Sequence, residues 1–164
     1  MYFYGAKTFL ALFFIEITTA WEQRKLCDIA DIVGGGTPSS LSAAELDKLI
    51  TYITTIFDIT SLREFTVEAG RPDSITREKL QVLKRHGVNR ISINPQTMKN
   101  DTLKLIGRGH SSEDTISAFT LARELGFTNI NMDIIIGLPG EDIEDIRYTL
   151  EEITILAPDS LTVH

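Results

Sequence analysis

Short apolar runs alternate with amphipathic stretches along most of this chain of 164 residues. Five runs have the length and composition of β-strands, and they lie at residues 28–33, 64–69, 88–94, 128–137 and 160–163. After each of the first four comes a loop rich in glycine, proline or polar residues, and then apolar residues at helical spacing. This repeated unit predicts a parallel sheet covered by helices.

The predicted helices have recognisable ends. Ser42 and Glu45 have the spacing of a capping box, and Ser111 with Asp114 opens a later helix. Glycines stand where the helical patterns stop, as is common at helix C-termini. The predicted buried stripes are Leu46, Leu49, Ile50, Ile53 and Phe57, then Leu80 and Leu83, then Ile116, Phe119, Ala122 and Leu125, and finally Ile143, Ile146, Leu150 and Ile153.

Two α/β architectures fit this order of elements, an open doubly wound sheet and a barrel. A dinucleotide-binding fold concentrates its signature in the first strand-to-helix turn. Here glycine-rich or polar segments follow nearly every strand, at 34–37, Glu68, 94–96 and 133–140. A barrel builds its site at that rim from many strand ends. We therefore expect an α/β fold of repeated βα units forming a partial TIM-type barrel.

Composition narrows the classes of function. The chain is 43% apolar and 24% charged, as is ordinary for one globular domain, and its net charge of -7 argues against a nucleic-acid surface. Cys27 is the only cysteine. A lone thiol makes no intramolecular disulfide and cannot by itself supply a zinc or iron–sulfur site. We expect a reducing, cytoplasmic compartment and no metal ligands on this chain.

The apolar run at 8–17 raises the question of a membrane anchor. Its length is about half of the roughly 20 residues that a spanning helix needs. It contains Glu16, and the charged segment Trp-Glu-Gln-Arg-Lys follows at 21–25. We expect a helix that is buried or covered by a partner, with no membrane contact.

The segment Asp-Ile-Val-Gly-Gly-Gly-Thr-Pro-Ser-Ser, at 31–40, places unusually bare backbone after the first strand. Gly34, Gly35, Gly36 and Thr37 lack both the spacing of a dinucleotide loop and the Lys-Ser/Thr pair of a phosphate-binding loop. Such glycines serve either a tight turn or a closely approaching ligand. The pattern alone leaves both open.

Four polar side chains at the predicted strand ends have complementary chemistry. Glu68 can accept from an ammonium group, Gln96 can donate and accept, Arg108 offers a fork for a carboxylate, and Asp133 suits two sugar hydroxyls. Together they match an amino-acid nucleoside better than a polyphosphate, because basic residues are few.

Each of these residues also has a structural alternative. Glu68 could pair with Arg71 or Arg90, Gln96 could cap the following turn, and Arg108 could be solvated. Asp133 lies within an apolar strand, where an unpaired carboxylate is costly. It is therefore either paired structurally or functional.

Six segments, in this order, resemble the radical SAM superfamily: VGGGTPSSL, VEAGRPDSIT, GVNRISINPQTM, LKLIGRGHSSEDTISAFTLARELGF, NINMDIIIGLPGE and PDSLTVH. They are similar to its branch of oxygen-independent coproporphyrinogen III oxidases and coproporphyrinogen dehydrogenase-like proteins. The resemblance covers about residues 28–164 and does not extend to 1–27. It implies a six-unit partial barrel that binds S-adenosylmethionine beside a [4Fe–4S] cluster. Reductive cleavage of that cofactor gives a 5′-deoxyadenosyl radical, which takes hydrogen from a propionate group that then loses carbon dioxide.

The resemblance also implies roles for single residues. Those of the cofactor site are the methionine-amino loop Gly34, Gly35, Gly36 and Thr37, the acidic Glu68, the ribose-binding Gln96 and Asp133, the carboxylate partner Arg108 and the adenine contact Ile135. No catalytic residue is implied within this chain.

The departures from the family pattern matter equally. The cluster-binding motif Cys-x-x-x-Cys-x-x-Cys is absent, and the sequence stops at His164, where the family's barrel continues. We expect the central part, 28–164, of a radical SAM barrel domain, preceded by a distinct apolar segment at 1–27. Its parent enzyme would oxidise a porphyrinogen, and this chain alone would be inactive.

Three other hypotheses stay open: a non-catalytic S-adenosylmethionine or nucleotide-binding module, a haem-trafficking relative, and a scaffold that associates with itself through an unpaired sheet edge.

Overall fold

A computed structural model describes residues 38–57, 59 and 62–164. The helices are α1 (Ala43–Ile56), α2 (Arg77–Arg85), α3 (Asn100–Leu105), α4 (Ser112–Glu124) and α5 (Ile143–Leu156), with 3₁₀ turns at Pro38–Ser40 and Pro72–Ser74. The strands are β1 (Thr66–Gly70), β2 (Arg90–Gln96), β3 (Ile130–Ile134) and β4 (Ser160–Val163). The predicted strand at 28–33, the apolar run at 8–17, Cys27 and the glycine segment 34–37 lie outside the described residues.

The four described strands form one parallel sheet in the order β1-β2-β3-β4. Each crossover therefore returns to the position beside the preceding strand. Residues of α1, α2, α4 and α5 join the strands in a single buried cluster on one face of the sheet. Helices on one face and sequential strand order are the arrangement of a barrel wall, whereas a doubly wound sheet carries helices on both faces. The α/β partial-barrel prediction is confirmed.

Successive residues of each strand alternate between two unlike faces, as strand geometry requires. The helix-covered face, which we call the apolar face, consists of Val67, Ala69, Ile91, Ile93, Ile130, Met132, Ile134, Leu161 and Val163. The opposite face, which we call the polar face, consists of Thr66, Glu68, Gly70, Arg90, Ser92, Asn94, Gln96, Asn131, Asp133, Ser160 and Thr162.

Side-chain caps fix where the helices begin. Ser42 and Glu45 form the predicted capping box of α1, and Ser111 with Asp114 forms the same device at α4. The chain turns out of α2 at Gly87, whose φ of 80° is readily adopted only by glycine. These caps set the lengths of the helices that cover the apolar face.

Two of the predicted buried stripes are partly wrong. Ile116 of α4 is 37% exposed, and Ile143 and Leu150 of α5 are 66% and 37% exposed. Thr115 and Thr149 are buried instead, because their hydroxyl groups find partners in the Ser111 carbonyl and the Met98 amide. The buried face of each helix is therefore rotated by about one residue from the apolar pattern.

In the described part of the chain, no helix combines the length and the apolar character that crossing a membrane requires.

Candidate functional site

A cavity of about 310 Å³ opens at the carboxyl ends of the four strands. Its lining residues are Glu68, Gly70, Arg71, Asn94, Gln96, Arg108, Asp133 and His164. Four of the residues predicted from the sequence are thus brought together there. Ile135 follows β3 directly and is partly buried, but it does not line this cavity, and Gly34 to Thr37 lie outside the described residues.

Glu68 is held by an amide rather than by a cation. Asn94 Nδ2 donates to Glu68 Oε1 at 3.0 Å, across the β1–β2 pair. The predicted alternative, pairing with Arg90, is wrong, because the guanidinium of Arg90 donates to Glu64 Oε1 at 2.9 Å. Asn94 Oδ1 is buried and has no donor among the described residues. An ammonium group at this point would satisfy both the free amide oxygen and the carboxylate.

Gln96 stands at an irregular point of the sheet. Its φ of 68° lies in the left-handed region, which is uncommon for a residue other than glycine. The β2–β3 register shifts between Ile93 and Gln96, and the Ile135 amide donates to the Gln96 carbonyl at 2.9 Å. Such a conformation costs about 1–3 kcal/mol and persists only where the surroundings fix it. The result places the buried Gln96 side chain at the cavity wall.

Asp133 is both paired and available to a ligand. Asn131 Nδ2 donates to Asp133 Oδ1 at 2.6 Å, and Asn131 Oδ1 accepts from Ser160 Oγ at 2.7 Å and Thr162 Oγ1 at 3.3 Å. The second carboxylate oxygen, Oδ2, lies 3.8 Å from His164 Nε2 at the cavity. Asn131 thus orients one oxygen of Asp133 and leaves the other toward the cavity.

Two guanidinium groups line the cavity without a carboxylate partner. Neither Arg71 nor Arg108 forms an ion pair with any residue in the described ranges. Arg108 lies in the loop after α3, where Gly107 turns the chain at a φ of 72°. Since both cavity carboxylates already accept from amides, the arginines can receive an anionic group such as a carboxylate.

The 3₁₀ turn at Pro38–Ser40 is fixed to the end of β1. Lys79 Nζ donates to the Ser39 carbonyl at 2.5 Å and to the Ser74 carbonyl at 2.9 Å. Ser39 Oγ donates to the Ala69 carbonyl. Burial lowers the pKa of Lys79. Lys79 therefore positions the chain that continues from Thr37.

The sequence places Asn94 at the predicted rim but assigns it no role, and it indicates no role for Asn131, His164 or Lys79. The first three share the alternation that marks Glu68 and Asp133, so the period of two within the strands could have found them. Lys79 gave no signal, because a lysine on an amphipathic helix is ordinarily solvated.

These residues fit an amino-acid nucleoside but do not fit an iron–sulfur cluster. The cavity offers an unsatisfied amide oxygen, two carboxylates and two unpaired guanidiniums. A [4Fe–4S] cluster requires several thiolates, and the sequence contains only Cys27. Among residues 38–57, 59 and 62–164, no three His, Cys, Asp or Glu side chains are grouped to hold a metal ion.

Comparison with known proteins agrees with the fold. Residues 28–153 match the model of the radical SAM superfamily. The chain is 54% identical over 132 residues to the oxygen-independent coproporphyrinogen-III oxidase-like protein HemZ of Bacillus subtilis (80% of this chain, 26% of that protein). It is 41% identical over 159 residues to the heme chaperone HemW of the same organism (91% of this chain, 42% of that protein).

A solved structure is similar in both fold and sequence. Coproporphyrinogen III oxidase (HemN) from Escherichia coli superposes with a TM-score of 0.72 at 33% identity, over 79% of this chain and 30% of that one. The chain therefore spans roughly a quarter to two fifths of the relatives it matches. The residues that match the family model include Glu68, Gln96, Arg108 and Asp133, and the match ends before β4. This chain belongs to the radical SAM superfamily.

Proposed function

We propose that this chain supplies the S-adenosylmethionine pocket of a radical SAM oxidoreductase. The parent protein would carry out oxidative decarboxylation of propionate side chains on a porphyrinogen. The observation that carries the proposal is the convergence of Glu68, Gln96, Arg108 and Asp133 on one cavity at the carboxyl edge of the sheet.

Each side chain has a binding task in this proposal. Glu68 and the free oxygen of Asn94 accept from the α-ammonium group, beside the backbone of Gly34 to Thr37. Arg108 donates to the α-carboxylate. Gln96 and the outer oxygen of Asp133 hold the two ribose hydroxyls, and Ile135 contacts the adenine. When bound and reduced, S-adenosylmethionine supplies a carbon-centred radical for hydrogen abstraction.

This chain would bind and orient the cofactor without reducing it. Its single thiol cannot hold the cluster that delivers the electron. We propose that residues 28–164 form the central barrel units and that 1–27 are a distinct segment. Cytoplasmic location, a porphyrinogen substrate and self-association through a sheet edge remain predictions.

Calorimetry with S-adenosylmethionine and S-adenosylhomocysteine tests the pocket. We expect saturable binding of both, lost in Arg108→Ala and kept in Arg77→Ala, whose guanidinium lies on the outer helix surface in an exposed ion pair with Glu124. No heat and no competition at millimolar concentration would refute the pocket.

Anaerobic reconstitution with iron and sulfide tests whether this chain can hold an iron–sulfur cluster by itself. We expect no cluster absorption and no EPR signal after reduction. A reduced-cluster signal from this chain would contradict the proposal while leaving the cofactor pocket intact.

The similarity to a heme chaperone, at 41% identity, favours a second candidate, haem handling without chemistry. A haem titration followed at the Soret band distinguishes the two. Stoichiometric haem binding with no response to S-adenosylmethionine would favour the second candidate.

A further inference from the structure

His110 is a buried titratable residue that the proposed cofactor contacts do not use. It lies two residues after Arg108, and only 4% of it is exposed. Its Nε2 lies 3.1 Å from the Pro95 carbonyl oxygen. Its Nδ1 is buried without a hydrogen-bond partner among the described residues.

The acceptor fixes the tautomer of the ring. A carbonyl oxygen can only accept, so Nε2 carries the hydrogen and Nδ1 carries the lone pair. Burial lowers the pKa of His110 and outweighs the hydrogen bond to the Pro95 carbonyl and the carboxylates of Asp73 and Asp114, which all raise it, while Arg108 acts in the same direction as burial. His110 is therefore a neutral donor with one polar bond.

That hydrogen bond joins His110 to the end of β2 at the cavity, where the backbone is strained. Pro95 immediately precedes Gln96, whose φ is 68°. The Gln96 carbonyl is held from the other side by the Ile135 amide. Pro95 has no N–H of its own, so its carbonyl is its one backbone anchor. Successive carbonyls are thus held by His110 and by the residue after β3.

The same bond restrains the loop that carries Arg108. This loop leaves α3 at Gly107 and runs past Asp73, since a Cβ placed on Gly109 would lie 3.4 Å from Asp73 Oδ2. Among the proposed cofactor contacts that the structure describes, Arg108 alone stands on neither a strand nor a residue directly following one. Its distance from Gln96 depends on a contact between the two segments, and His110 provides one.

We propose that His110 is a positioning residue that locks the Arg108 loop to the Pro95–Gln96 turn through its Nε2–H. The proposed consequence, that Arg108 and Gln96 are held at the spacing of one ligand, rests on the function proposed above. The contact itself does not.

A donor-retaining and a donor-lacking variant test this role. His110→Gln keeps an N–H near the position of Nε2, and His110→Phe fills the space without one. His86→Phe is the matched control, because the half-buried His86 bonds Asp47 between α1 and α2. We expect the dissociation constant for S-adenosylmethionine to rise about tenfold in His110→Phe and to change by less than about threefold in the other two.

Nuclear magnetic resonance provides a readout that needs no ligand. Long-range nitrogen–proton spectra of the unmodified chain should show a protonated Nε2 and an unprotonated Nδ1 on His110. Hydrogen exchange at the Ile135 amide should accelerate in His110→Phe and not in His110→Gln. If His110 only filled space, His110→Phe would not selectively accelerate exchange at this amide. His110→Gln would then not behave more like the unmodified chain than His110→Phe does.

The outcomes separate the two proposals. If the unmodified chain binds no S-adenosylmethionine, the proposed function fails, and the tautomer and Ile135 exchange still decide the lock. A protonated Nδ1, unchanged Ile135 exchange in His110→Phe, or equal effects of both variants would overturn the positioning role. If His110→Phe does not fold, the tautomer and His110→Gln decide alone.

Discussion

The two faces of the sheet are built from alternate residues of the same strands, yet they differ in almost every property. On the apolar face, Ile91, Ile93 and Met132 are fully buried beneath the helices. On the polar face, Asn94 donates to Glu68 and Asn131 donates to Asp133, and Glu68, Asn94 and Asp133 border the cavity.

Parallel sheets are commonly apolar on both faces, and TIM barrels fill their interior with branched side chains. Here the alternation of side chains along each strand places the residues of the buried core on one face and the polar residues on the other. One residue packs against the helix layer, and the next lies on the polar face, where the residues at the carboxyl ends of the strands border the cavity.

Removing bulk from the apolar face should have the largest effect. Ile93→Ala and Ile134→Ala should each lower the free energy of unfolding by about 2–5 kcal/mol, because each leaves a cavity in a packed cluster. Urea denaturation measures this. Ser92→Ala, next to Ile93 in β2 but on the polar face, should cost about 1 kcal/mol or less. Equal losses at Ser92 and Ile93 would break the distinction between the faces.

Removing charge from the polar face should mainly affect binding. Asp133→Asn should weaken S-adenosylmethionine binding about 10- to 100-fold, because a hydrogen bond to a charged group contributes about 1.5–3 kcal/mol. Calorimetry measures the binding and urea denaturation measures the stability, which should change by about 1 kcal/mol or less. Unchanged affinity would argue against Asp133 as a ligand contact.

Lowering the pH should destabilise the protein through His110, the buried histidine that bonds the Pro95 carbonyl. The pKa of His110 lies below its ordinary value of 6.5, so the unfolded chain takes up a proton that the folded chain does not. Stability should therefore fall as pH drops below about 6.5, by at most about 1.4 kcal/mol per pH unit.

Asp47, Asp145 and Asp159 have lowered pKa values through hydrogen bonds and ion pairs, and they should contribute only as pH falls below about 3.8. His110→Gln should lack the slope between pH 5 and 6.5. An identical slope in that variant would assign the effect to another group.

An ion pair on neither face should have the smallest effect. Arg77 and Glu124 are 2.8 Å apart, and both side chains are at least half exposed. Glu124→Gln should change the free energy of unfolding by about 0–1 kcal/mol and leave ligand binding unaltered. A larger change would show that the outer helix surface contributes to the site.

Much of the fold could be predicted because local signals agreed with one another. The capping boxes at Ser42 and Ser111 and the glycine after α2 place helix ends within a residue or two. The polar strand ends indicated a rim, and the rim brings Glu68, Gln96, Arg108 and Asp133 to one cavity.

The remainder depended on contacts between distant segments. Thr149 is buried because its hydroxyl accepts a hydrogen bond from the Met98 amide, 51 residues away. No apolar pattern in the sequence predicts that contact. The lock between His110 and Pro95 likewise needs the conformation of the Gln96 turn, which contradicts the ordinary preference of glutamine. Such positions break local rules where a site requires it.

The hydrogen bonds from Ser160 and Thr162 to Asn131 determine which part of this chain must be kept together when it is transferred into another protein. Asp133 takes its orientation from Asn131, and Asn131 takes its own from β4. Any transplant of this edge of the sheet into another scaffold must therefore carry residues through Thr162, although Asp133 itself lies 29 positions earlier. The pocket is therefore a unit of neighbouring strands. A motif transferred without β4 would carry the Asp133 carboxylate but would lose the hydrogen bonds that orient it.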